Sequence, residues 1–161
     1  MLGLVALGTV SACGFRPAYG PGGAAAGLFG RISLADPGSR DGLTLNNRLI
    51  QRLVTATAPL WRLEYDLETS QQVFSASGTG RTQLNGRLQY RLVPLAEDQS
   101  MALRGAVSAF SAYDEGQTSA SNTNVLVSNV AAAADARNRL LVQLADRLVE
   151  DLIAQSAGAG R

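Results

Sequence analysis

The feature that most constrains this chain is a single cysteine set directly behind a short apolar run. Residues 2–10 are apolar apart from Gly3, Gly8 and Thr9, and they lead into Val10-Ser11-Ala12-Cys13-Gly14. The run is too short to span a bilayer as a helix and has the form of a secretory signal. In a bacterial lipoprotein signal, two small residues precede a Cys whose thiol is alkylated by a diacylglycerol. The bond before that Cys is cut and the new amino terminus is acylated. Small residues let the peptidase close around the bond. Cys13 is the sole cysteine, so an exported chain would have no intrachain disulfide to form with it. Residues 1–12 are therefore expected to be a signal peptide, with a covalent lipid on Cys13 and no other cofactor. The competing reading is an ordinary buried cysteine in an N-terminal helix. No Arg or Lys precedes the run, where a signal normally carries positive charge. A start codon further upstream or a clipped sequence would account for that.

Without residues 1–12, roughly 150 residues of the 161 remain, enough for one domain with a substantial core. The net charge is +1, which gives no footprint for nucleic acid as a partner. All 14 cationic residues are Arg, and His is absent. A chain with no His and one Cys cannot build an ordinary zinc site or a His-based triad.

Residues 13–27 are rich in Gly, Pro and Ala and are expected to form a flexible tether. A single folded domain should occupy 28–155, with 156–161 a disordered tail. Residues 28–35 read as a first strand, stopped by Asp36-Pro37-Gly38-Ser39. Leu45, Leu49, Ile50, Leu53 and Val54 recur at helical spacing, with Thr44 or Asp41 as cap and Pro59 as terminator. Three long strands follow. Leu63, Tyr65 and Leu67 alternate with Glu64, Asp66 and Glu68; Leu88, Tyr90 and Leu92 alternate with Arg87, Gln89 and Arg91. Leu103, Gly105, Val107 and Ala109 alternate with Arg104, Ser108 and Phe110. A last helix over 124–155 carries the apolar stripe Leu126, Val130, Ala133, Ala134, Leu141, Leu144, Leu148 and Leu152. The order β-α-β-β-β-α predicts an α+β two-layer sandwich. Its four-stranded mixed sheet would be a meander after one parallel crossover, with both helices on one face.

The acids have no metal-ligand company, and the glycines at 20–23 lack the Lys and Ser/Thr of a phosphate-binding loop. Catalysis thus has little support. The charged sheet face is more informative. Glu64, Asp66 and Glu68 could sit across from Arg87 and Arg91, with Arg104 one strand further on. That face could simply meet water, line the polar interior of an outer-membrane barrel, or hold phosphates on its guanidinium groups.

The chain resembles the LPS-assembly lipoprotein family LptE in its alphaproteobacterial form. The resemblance rests first on Cys13-Gly14-Phe15-Arg16-Pro17-Ala18-Tyr19-Gly20. It rests also on Leu45-Asn46-Asn47-Arg48-Leu49 leading through a proline into Trp61-Arg62-Leu63. Third comes Phe110-Ser111-Ala112-Tyr113-Asp114, followed by Asp135-Ala136-Arg137 and Leu144-Ala145-Asp146-Arg147-Leu148. The likeness covers nearly the whole chain after Cys13. It implies a non-enzymatic outer-membrane lipoprotein, lipid-anchored on the periplasmic side. Its partners would be lipopolysaccharide and the LPS-translocating outer-membrane β-barrel of LptD type, which it would plug and help assemble. Basic side chains contact LPS in such proteins, and Arg87, Arg91 and Arg104 are the candidates by their shared sheet face. The alternative is a periplasmic accessory lipoprotein of another transport or secretion complex.

Overall fold

The computed structural model describes residues 28–54, 56–76, 79–96, 103–116 and 123–159. Cys13 and the segments expected to be signal peptide and tether lie outside the described residues. The elements are β1 (Ile32–Leu34), α1 (Arg40–Leu53), β2 (Trp61–Ala76), β3 (Thr79–Pro94), β4 (Leu103–Glu115) and α2 (Thr123–Ala159). The sheet has the order β1-β2-β3-β4, with β1 parallel to β2 and the rest antiparallel. This is the α+β two-layer arrangement and mixed sheet that the alternation implied.

Side-chain parity decides which face is buried. Leu63 of β2, Leu84, Leu88 and Leu92 of β3 and Ala109 of β4 point inward. There they meet Leu45 and Leu49 of α1 and Leu140, Leu144, Leu148 and Leu152 of α2, all within one apolar cluster. Each such leucine taken from water contributes about 1.5–3 kcal/mol. Arg48 Nε donates to Asp146 Oδ1 at 2.9 Å and Arg137 bridges to Asp41, so α1 and α2 run side by side in the same sense. Those helix-joining pairs raise the pKa of both guanidiniums, chiefly through the hydrogen bonds to the two carboxylates.

Several local expectations are corrected. The first strand is three residues long, because only Ile32–Leu34 pair with β2. Neither Thr44 nor Asp41 caps α1. Ser39 does, its side chain accepting from Gly42 N at 3.1 Å, while Asp41 sits in the first turn and favours the positive helix end. The helix ends at Leu53, well before Pro59. Val54 takes φ 63° and ψ 137° as its N–H closes onto Ile50 O at 3.1 Å. Ile50 and Val54, counted in the apolar stripe, are exposed.

The larger correction concerns α2. It reaches Ala159, so 156–159 continue the helix rather than opening a tail. Its buried stripe is Ala136, Leu140, Leu141, Leu144, Ala145, Leu148, Val149, Leu152 and Ile153. Leu126, Val130 and Ala134 face solvent. The reason lies in the helix pair: α1 begins alongside Arg137, so the turns of α2 before that point have no helix beside them. At ~1.5 Å per residue α2 is roughly 55 Å long, and its first turns run past α1 and meet the end of β4, where Asn129 bonds to Gly116.

Candidate functional site

The sheet face turned away from the helices is the candidate binding surface. Even-numbered residues of β2, odd-numbered residues of β3 and even-numbered residues of β4 share it. The register builds cross-strand rungs: Glu64–Arg91–Arg104, Asp66–Gln89–Ala106, Glu68–Arg87–Ser108 and Ser70–Asn85–Phe110. Parity fixes which residues share the face, since a shift of one residue would send every side chain to the core, and the register fixes the rungs.

The structure brings Arg91 and Arg104 together on one rung. Like charges directly opposite one another repel, and Glu64 offsets this: Arg91 Nε donates to Glu64 Oε2 at 2.7 Å. Arg91 stays 70% exposed in that pair, so its net contribution to stability is small. Arg87 lies two rungs away, opposite Glu68 without bonding to it. Among the described residues neither Arg87 nor Arg104 has an ion-pair partner. Two shallow depressions mark the face. One of about 710 Å³ is lined by Glu64, Asp66, Gln89, Arg91 and Arg104 among others. The other, of about 660 Å³, is lined by Glu68, Asn85, Arg87, Ser108 and Phe110, with Arg147 at its rim. The three arginines expected from the sequence thus share the face and divide between two hollows. A guanidinium with no carboxylate attached, beside one held by a carboxylate, is a setting that an anionic group can enter.

Sequence reasoning missed how α2 closes the β4 edge. Arg147 donates to Ser108 O, and Arg139 Nη2 donates to Ala112 O at 3.3 Å. Asn129 and the Gly116 backbone exchange hydrogen bonds at 3.0 and 3.2 Å, sealing the end of the strand. It also missed a polar cluster on the inner face, where Tyr90, Asp151 and Gln155 join hydrogen bonds beneath Gly105. Burial first, and then the Asp151 carboxylate, hold the Tyr90 hydroxyl far above its ordinary pKa of 10.0. Tyr65 is raised by burial as well, its hydroxyl donating to Asn46 Oδ1 at 2.8 Å. Among the described residues no helix is long and apolar enough to cross a membrane. Among the same residues no group of three His, Cys, Asp or Glu could hold a metal ion.

Fold and face together define a two-layer α+β scaffold that buries one side of its sheet and presents a broad charged surface on the other. Residues 29–156 match the LptE family, described as lipopolysaccharide-assembly, and the chain belongs to that family. Among solved structures, a candidate lipoprotein of Caulobacter crescentus CB15 is similar, with TM-score 0.59 and 20% identity over 84% of this chain and 96% of that one. A minor lipoprotein of Acinetobacter baumannii is similar at TM-score 0.51 and 12% identity, over 78% of this chain and 90% of that one. At those identities the two structures bear on the fold alone. No curated protein matches the chain.

Proposed function

We propose that this chain is an outer-membrane lipoprotein, held on the periplasmic side by lipid on Cys13. It plugs and helps assemble the LPS-translocating β-barrel and assists insertion of lipopolysaccharide into the outer leaflet. The observation that carries the reading is the family match over 29–156, which covers the whole sheet, α1 and all but the last three residues of α2. The sheet face supports it physically. A polar, mixed-charge surface suits the polar lumen of an outer-membrane barrel, where an apolar face would not stay wetted. Arg91 and Arg104, with Arg87 in the neighbouring hollow, supply guanidiniums that can take phosphate oxygens of an anionic glycolipid. The work is binding and positioning rather than turnover.

Lipid on Cys13 would hold the chain firmly. A single acyl chain gives roughly 10⁴ M⁻¹ of membrane affinity, and several chains on one cysteine make release negligible. A domain so tethered meets its barrel at high local concentration. Depletion of the protein tests the assignment. Surface-exposed lipopolysaccharide should fall while newly made lipopolysaccharide accumulates inside the outer membrane. Normal arrival at the surface would overturn the assignment.

A further inference from the structure

The two edges of the sheet are treated differently. The edge of β4 is closed by Arg139 and Arg147, whose guanidiniums occupy the outward carbonyls of Ala112 and Ser108. The other edge belongs to β1 only at its start. Trp61 N donates to Arg31 O and Leu63 O accepts from Ala35 N, so odd-numbered residues of β2 direct their backbone groups to that side. After Ala35 the chain turns away into α1, and among the described residues nothing pairs with this edge of β2 beyond Leu63. The backbone groups of Leu67, Thr69, Gln71 and Val73 therefore line an open edge. This stretch is regular, paired without interruption to β3, and carries no Pro, Lys or bulge of the sort that guards natural edges.

We propose that the β2 edge from Leu67 to Val73 is a docking site for an extended segment of another protein, which joins the sheet as an added strand. This goes beyond the plug reading and does not rest on it. Main-chain hydrogen bonds to the odd-numbered residues supply affinity, and alternate side chains supply selectivity. The charges define the partner. Asp66 and Glu68 are exposed on the outer face and have no ion pair among the described residues, whereas Glu64 is taken by Arg91. An incoming strand should place basic side chains opposite Asp66 and Glu68. Its other face should be apolar, against Leu67 and the 57%-exposed Val73. A notch of about 150 Å³ between the edge and α2, lined by Thr69, Gln71, Leu84, Arg137 and Leu140 among others, gives one such side chain a seat.

The test uses a synthetic peptide of about nine residues, a common strand length, in which arginine alternates with valine or leucine. Added to the intact protein, it should slow hydrogen exchange at the amides of Leu67, Thr69 and Gln71 by roughly tenfold or more, with Glu68 and Ser70 unchanged because they already bond to β3. Thr69→Pro removes an outward donor and leaves the ladder to β3 whole, so it should weaken binding about tenfold with the far-UV spectrum retained. N-methylating alternate amides of the peptide should do the same from the other side, and it remains decisive if Thr69→Pro fails to fold. Asp66→Asn with Glu68→Gln should weaken binding by roughly threefold. The proposal is overturned if the peptide leaves the odd-numbered amides unprotected or if N-methylation does not matter. It is equally overturned if those amides are already protected in the free protein, because another part of the chain would then hold the edge.

Discussion

The Tyr90 hydroxyl on β3 donates to the Asp151 carboxylate on α2 at 2.5 Å, tying the middle of the sheet to the last turns of the long helix. Gln155 Nε2 donates to both partners, at 2.9 Å to Tyr90 and 3.0 Å to Asp151. The pair is inward-facing, so its loss should be felt in stability and leave the outer sheet face untouched. Tyr90→Phe should cost about 1–2 kcal/mol in urea unfolding, because Asp151 would keep only Gln155.

The same pair predicts a pH dependence. Tyr90 is raised above its ordinary value of 10.0 in the folded protein, by burial first and Asp151 second. Below pH 10 both folded and unfolded chains hold the proton, and the stability is fully present. Above it the unfolded chain loses the proton while the folded one keeps it, so stability should fall as pH rises past 10. Urea midpoints measured at pH 8 and pH 11 should diverge in the natural protein and converge partly in Tyr90→Phe.

Gly86 on β3 marks a close approach of sheet and helix. A Cβ at Gly86 would stand 2.7 Å from Leu144 Cδ1 and 3.3 Å from both Leu140 methyls. Because Leu140 and Leu144 are fully buried, Gly86→Ala should destabilise by about 1–3 kcal/mol through overpacking. Thermal melting of this one variant checks it.

Val54 gives a prediction of opposite sign. Its φ of 63° is ground that a β-branched residue rarely occupies, and the side chain is exposed. Val54→Gly should raise stability by about 1 kcal/mol, the relieved strain exceeding the added freedom of the unfolded chain. A lowered melting temperature would contradict the strained geometry.

Removing the guards on β4 should have a different signature. Arg139→Ala with Arg147→Ala frees the carbonyls of Ala112 and Ser108 along an edge strand. The double variant should fold but self-associate at concentrations where the natural protein is monodisperse, as light scattering would report.

The sequence was most legible where periodicity is short. Alternation over two residues placed Arg87, Arg91 and Arg104 on one face with Glu64, Asp66 and Glu68, because parity does not depend on what else the chain does; which acid stands opposite which arginine is set by the register of β2 on β3. Helix burial was less legible. Leu126 and Val130 fit an apolar stripe as well as Leu144 and Leu148, and only the placement of α1 beside Arg137 separates covered turns from uncovered ones. Ser39, Asp41 and Thr44 are all competent caps within six residues, and local pattern alone chose wrongly among them. Contacts such as Arg147 with Ser108 join positions far apart in the chain and leave no periodic trace.

The anion-binding reading of the face has its own test. Arg104 is exposed and unpaired among the described residues, so Arg104→Ala should leave the melting temperature unchanged. It should weaken binding of lipopolysaccharide about three- to tenfold, with a shallower salt dependence. Arg91→Ala should behave similarly and leave Glu64 unpaired.

The central claim is that this domain sits in a barrel. Gentle detergent extraction of outer membranes, followed by capture of the full-length protein, measures that directly. The account predicts co-purification with a single, far larger β-barrel protein in a one-to-one ratio. Recovery of the protein alone, or with soluble periplasmic subunits and no barrel, would contradict it.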